Sequence, residues 1–189
     1  VVKPMTPENF VRFMPQILQM QTIRDFFPNR PGLRIVETIA VTPQKKALDY
    51  LDTQSAIIRI LFVQDNRLGE GLLAITTVPA AEFRSGPGGG IGMGFMMYGL
   101  TAAKGKLNDQ LPELLKIGRS FKLSTSYEKK CKKDRAEDSP VLLDSGNSLK
   151  PVLDAMALVW EKRQPAEDML AEKRADELQG LERLHRPST

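Results

Sequence analysis

Cys131 is the only cysteine and His185 the only histidine in 189 residues. One thiol excludes an intrachain disulfide, and it excludes a cysteine-based zinc site within a single chain. One imidazole excludes a paired-histidine metal site and the HExxH pattern. A Ser-His or Cys-His pair would have to recruit His185 from the last residues of the chain. Carboxylates are dispersed among lysines and arginines, and nothing marks two of them as an acid–base pair. These scarcities point away from catalysis, so no enzyme activity, metal or cofactor is expected.

What is present is ordinary for a soluble globular protein, with 41% apolar and 26% charged residues. The length fits one domain, or one domain with appendages, and can bury a real core. The net charge of +4 is unevenly placed: residues 104–135 carry ten Lys/Arg against four Asp/Glu, leaving −2 for everything else. A basic segment is joined to a nearly neutral body.

The stretch from Arg59 to Val78 declares the architecture. Two apolar, β-branched runs flank a polar connection containing Asp65, Asn66 and Gly69, the composition of an antiparallel hairpin. Upstream, Thr6-Pro7-Glu8 reads as N-cap, first helical position and first-turn acid. Phe10, Phe13, Met14 and Ile17 then repeat at the spacing of a buried helix face, with a kink or break expected at Pro15. Leu33 to Val41 reads as a strand with Ile35, Ile39 and Val41 on one side. Glu37 interrupts that side, pointing to an edge strand or a shifted register. Thr42-Pro43 repeats the cap-then-proline signal and predicts a second helix, with Ala47, Leu48, Leu51 and Ser55 on one stripe.

Residues 85–103 are glycine-rich and carry no charge. The G-x-G-x-x-G spacing fails in every register, and the Walker pattern fails because Leu100 holds the first-glycine position and Leu107 follows Gly105-Lys106. As a helix the stretch would span about 28 Å, near bilayer thickness. The four-residue spacing of Gly86, Gly90 and Gly94 resembles that of glycine-zipper membrane proteins. Against a spanning helix stand Pro87 and the scarcity of strong aliphatics. The preferred reading is a buried strand from Ile91 to Ala103, on the alternation of Ile91, Met93, Phe95 and Met97.

Asn108-Asp109 predicts a short helix carrying Leu111, Leu114 and Leu115, and Ser148 caps another with Leu149, Leu153, Met156 and Trp160 as its stripe. Pro165 begins a last helix whose thin seam is Ala171, Ala175, Leu178 and Leu181. Such a seam buries little and is expected to need a partner surface. Lys129, Lys130, Lys132 and Lys133 surround Cys131 and favour its thiolate, although accident outranks a redox or nucleophilic role because no partner acid or base stands nearby.

The sequence therefore predicts an α+β fold: a small antiparallel sheet of about four strands, flanking helices and a C-terminal helical extension. The expected organisation is a core over 1–123, a basic flexible loop over 124–140 and the extension over 141–189. The expected function is that of a non-catalytic accessory subunit of a multiprotein assembly. It binds other protein subunits through Lys129, Lys130, Lys132, Lys133, Arg135, Ala171, Ala175, Leu178 and Leu181. Two alternatives stay open: an RNA- or ribosome-associated protein gripping phosphates, or anionic lipid, through residues 104–135, and a membrane-associated glycine-zipper protein. The basic balance and the start at Val1 favour an organellar setting such as the mitochondrion, with a bacterial envelope as the alternative.

Overall fold

Asp65 and Asn66 both adopt left-handed backbone conformations, with φ of 50° and 58°, which are those of a type I′ hairpin turn. This two-residue turn joins β2 (Gln54–Gln64) to β3 (Arg67–Glu82) and pairs Gln64 with Arg67 and Ile60 with Gly71. The structure is a computed structural model that describes residues 4–17, 34–45, 53–82, 90–120, 124, 126 and 145–184. Around the hairpin stand β1 (Arg34–Gln44) and β4 (Gly90–Ala103), giving an antiparallel sheet in the order β1-β2-β3-β4. The helices are α1 (Pro7–Ile17), α2 (Leu107–Ser120), α3 (Ser145–Glu161) and α4 (Pro165–Leu184). The fold is α+β, and the glycine-rich stretch contributes the fourth strand.

The chain forms two compact units, Val1–Asn108 with Arg163–Thr189, and Asp109–Lys162. The boundaries expected after 123 and 140 fall among residues outside the described ones.

In the first unit α1 and α4 cover opposite faces of the sheet. Ala56, Ile58, Ile60 and Phe62 of β2, with Leu73 and Ile75 of β3, pack against Val11 and Met14 of α1. Leu61, one step out of phase, packs with Ile39 and with Ala171 of α4. Because both faces are covered, β2 is buried continuously from Ala56 to Val63 rather than at alternate positions. Thr6 caps α1 as its sequence predicts, its hydroxyl accepting from Asn9 N–H at 3.2 Å. The helix runs through Pro15 to Ile17 without the expected break.

Two expectations upstream need correction. Thr42 and Pro43 do not start a helix: both lie in β1, paired with Ile57 and Ala56. Ser55 lies in β2, its hydroxyl 2.9 Å from that of Thr76. Proline is tolerated there because β1 is an edge strand, which is also what the interruption at Glu37 signalled. Nor do Ile35, Ile39 and Val41 share a face. Register shifts between Ile35 and Glu37 and between Thr38 and Ala40 turn Val36, Glu37 and Ile39 towards α4, while Ile35 and Val41 face α1.

In β4 the alternation from Ile91 to Met97 is likewise broken. The ladder with β3 skips Phe95 and shifts again at Pro79, which lacks the N–H a regular ladder needs. From Met96 to Ala103 the pairing with Thr76 to Gly69 is unbroken. Two close approaches fix the spacing: the Phe62 ring lies over Gly69, and Thr101 with the Leu100 carbonyl closes on Gly71.

In the second unit Leu111 and Leu115 of α2 and Leu153, Met156 and Trp160 of α3 are buried, while Leu114 and Leu149 of the same expected stripes are half-buried. Gly118 lets the Leu153 side chain approach α2 closely. Helix α3 starts at Ser145, three residues before the expected cap at Ser148.

Candidate functional site

The densest polar arrangement among the described residues lies between the sheet and α4. Arg59 projects from β2 into the layer that α4 covers, and its side chain is only 5% exposed. Its guanidinium donates to Asp168 Oδ1 at 2.7 Å and lies 3.7 Å from Glu70 Oε2 and 4.0 Å from Glu167 Oε2. Glu70 is 4% exposed and accepts a hydrogen bond from Gly105 N–H at 2.9 Å through its other oxygen. Gly105 has φ of 78°, so the β4–α2 turn takes a backbone shape suited to glycine and is tied to the sheet by this carboxylate. Arg163, just before α4, closes the cluster on Asp168 at 3.2 Å.

Further out, Lys104 pairs with Glu172, and Glu37 with Arg174 at 3.2 Å. Arg174 also donates to Glu177 at 2.8 Å, as its spacing predicts. That bond and charge, with Glu37 behind them, raise the guanidinium's pKa above its ordinary value. Every carboxylate in the cluster faces a cation, a guanidinium or ammonium group that holds it in place. The cluster therefore ties β2, β3, the β4–α2 turn and α4 together.

An open depression of about 550 Å³ lies, among the described residues, at the hairpin end between β2, β3 and β4. Phe62, Gln64, Asp65, Arg67 and Thr101 line it, and the only charges, Asp65 and Arg67, are exposed and of opposite sign. No group of three His, Cys, Asp or Glu side chains suited to a metal occurs among the described residues.

The outer edge of β4 is the other notable feature. No strand lies beyond it among the described residues. It carries no charged residue and no proline from Gly90 to Ala103. The opposite edge, β1, is blunted by Arg34, Glu37, Pro43 and two register shifts. Met97 on β4 is 39% exposed, and Met169 on α4 is 67% exposed.

The residues singled out from sequence are distributed as follows. Lys129, Lys130, Cys131, Lys132, Lys133 and Arg135 lie outside the described residues, as does His185. Ala171 and Ala175 are buried, and Ala171 packs on the chain's own Ile39 and Leu61. The surface expected to lie beneath this part of the seam is thus the sheet itself. Leu178 is half-buried, and the Leu181 side chain is not described. Of the basic residues in the described part of 104–135, Lys104, Lys116 and Arg119 are in ion pairs with Glu172, Glu113 and Asp154. The zipper glycine Gly94 lies in a strand, and no helix of the described residues is long and apolar enough to cross a membrane.

Arg59 and Glu70 were missed as a site, although the sequence carries the signal. Each is a lone charge inside an apolar strand, and the two-residue turn sets Leu61 opposite Glu70. That register makes Arg59 and Glu70 diagonal neighbours on one face, within reach of a long side chain. No family model matches the chain, and neither the characterised proteins nor the solved structures compared with it give a match.

Proposed function

We propose that this chain is a non-catalytic accessory subunit of a larger protein assembly, and that a strand of another subunit joins it along β4. The observation that supports this reading is the state of that edge. A long edge strand presents a row of unpaired N–H and C=O groups, and folded proteins blunt such edges with charge, proline or bulges. Here β1 carries all three devices, while β4 from Met96 to Ala103 carries none. An edge left regular and uncharged is suited to strand addition, in which main-chain hydrogen bonds supply the affinity. The ionic cluster supports the same reading, because its charges are taken up in holding α4 and the β4–α2 turn. The chain's pI of about 9.2 accords with an organellar assembly, the mitochondrion being the compartment we propose.

Sedimentation of native extracts tests the proposal. The 21.1 kDa chain is expected to travel in a far larger particle. A Thr101→Lys variant, which puts a charge on the edge strand at an exposed position, is expected to travel as free chain while keeping the wild-type circular dichroism. Wild-type protein that sediments as a monomer would refute the proposal.

A further inference from the structure

We propose that α4 is a releasable strap: it opens from the sheet as a unit, without unfolding the strands, and ionic strength controls the opening. The contact between α4 and the sheet is poor in apolar area and rich in charge. Ala171 and Ala175, each offering one methyl group, are its fully buried apolar residues among those described. Four ion pairs cross the same contact: Arg59 with Asp168 and, at 4.0 Å, with Glu167, Lys104 with Glu172, and Glu37 with Arg174.

The cluster is built in two tiers. On the sheet side, Arg59 and Glu70 are dry and paired with each other. On the helix side, Asp168 is 44% exposed, and Glu172 and Arg174 are also open to solvent. Salt reaches these outer groups and screens their pairs, whereas the inner pair is screened far less. The tiers also remove the usual obstacle to undocking. A buried arginine whose only carboxylate left with the helix would be stranded as an uncompensated charge. Arg59 keeps Glu70 when Asp168 departs, and Glu70 keeps Gly105 N–H. What is uncovered is an apolar patch of Val36, Ile39 and Leu61, with the Arg59–Glu70 pair left neutral and Lys104 and Glu37 freed of their helix partners.

Amide hydrogen exchange of the full chain at 50 mM and 1 M sodium chloride tests this. Each outer pair holds the closed form by about 1.5- to 5-fold, so exchange over α4 is expected to quicken on the order of tenfold in high salt. Exchange in β2 and β3 is expected to stay slow. Asp168→Asn and Glu172→Gln should each quicken α4 exchange at low salt and reduce its salt response. Asp154→Asn, which breaks an exposed pair with Arg119 in the other unit, should leave α4 unchanged. The strap is overturned if α4 exchanges only in step with β2, or if its exchange is indifferent to salt.

Discussion

Glu70→Leu isolates the inner tier of the buried cluster. At 3.7 Å, with an effective dielectric of about 20, the direct attraction between Arg59 and Glu70 is roughly 4 kcal/mol. Removing one member of a buried pair costs about 3–5 kcal/mol, chiefly because the other charge is left without its partner in a dry site. Asp168, still 2.7 Å from Arg59, compensates in part and sets the expectation at the low end, about 3 kcal/mol. The lost Gly105 hydrogen bond adds at most ~1 kcal/mol, since Gly105 is exposed and water replaces the acceptor. The double variant Arg59→Met with Glu70→Leu should recover most of this loss, because well-packed apolar residues replace a buried pair at little or no cost. Asp168 then retains Arg163 at 3.2 Å. Urea unfolding followed by far-ultraviolet circular dichroism, with midpoints compared at unchanged slope, measures both. A single variant that loses under about 1 kcal/mol, or a double variant as unstable as the single, would refute the cluster's role as a structural tie.

Two further substitutions test the packing. A Cβ added at Gly71 would stand 2.8 Å from Thr101 Cγ2 and 2.9 Å from the Leu100 carbonyl oxygen, so Gly71→Ala should force β3 and β4 apart and cost about 1–3 kcal/mol in the same urea assay. The Thr77 hydroxyl is buried with no hydrogen-bond partner among the described residues, so Thr77→Val should raise thermal stability by ~1 kcal/mol; a loss would reveal a partner for that hydroxyl.

Local chemistry made much of the fold legible. The hairpin declared itself because Asp65 and Asn66 interrupt two β-branched runs, and α1 because Thr6, Pro7 and Glu8 each favour a helix start for a separate reason. The strand expected from Ile91 to Ala103 is present as β4, although the alternation that suggested it is interrupted by the register shift at Phe95. Where reading went astray, one local signal had two structural meanings. Thr42-Pro43 fits a helix start and equally fits an edge strand, and only the pairing of β1 with β2 separates them. Period-two alternation fails at a bulge, which depends on the partner strand, so Ile39 and Phe95 were misplaced. The base beneath the α4 seam was illegible for a related reason. A seam of alanines states how close an element comes, while the identity of that element, here β1 and β2, is fixed by tertiary packing. The Arg59–Glu70 tie required a register as well as composition, and the turn at Asp65-Asn66 supplied it.

The central claim, that β4 is a joining edge, is tested most directly by amide exchange along residues 96–103 in the isolated chain and in the native assembly. In an antiparallel edge strand alternate N–H groups point away from the sheet. The amides bonded to β3 are expected to be slow in both states. The outward amides are expected to exchange almost freely in the isolated chain and to slow by at least about tenfold in the assembly, as strand pairing shelters them. Outward amides that exchange equally fast in both states would contradict the claim.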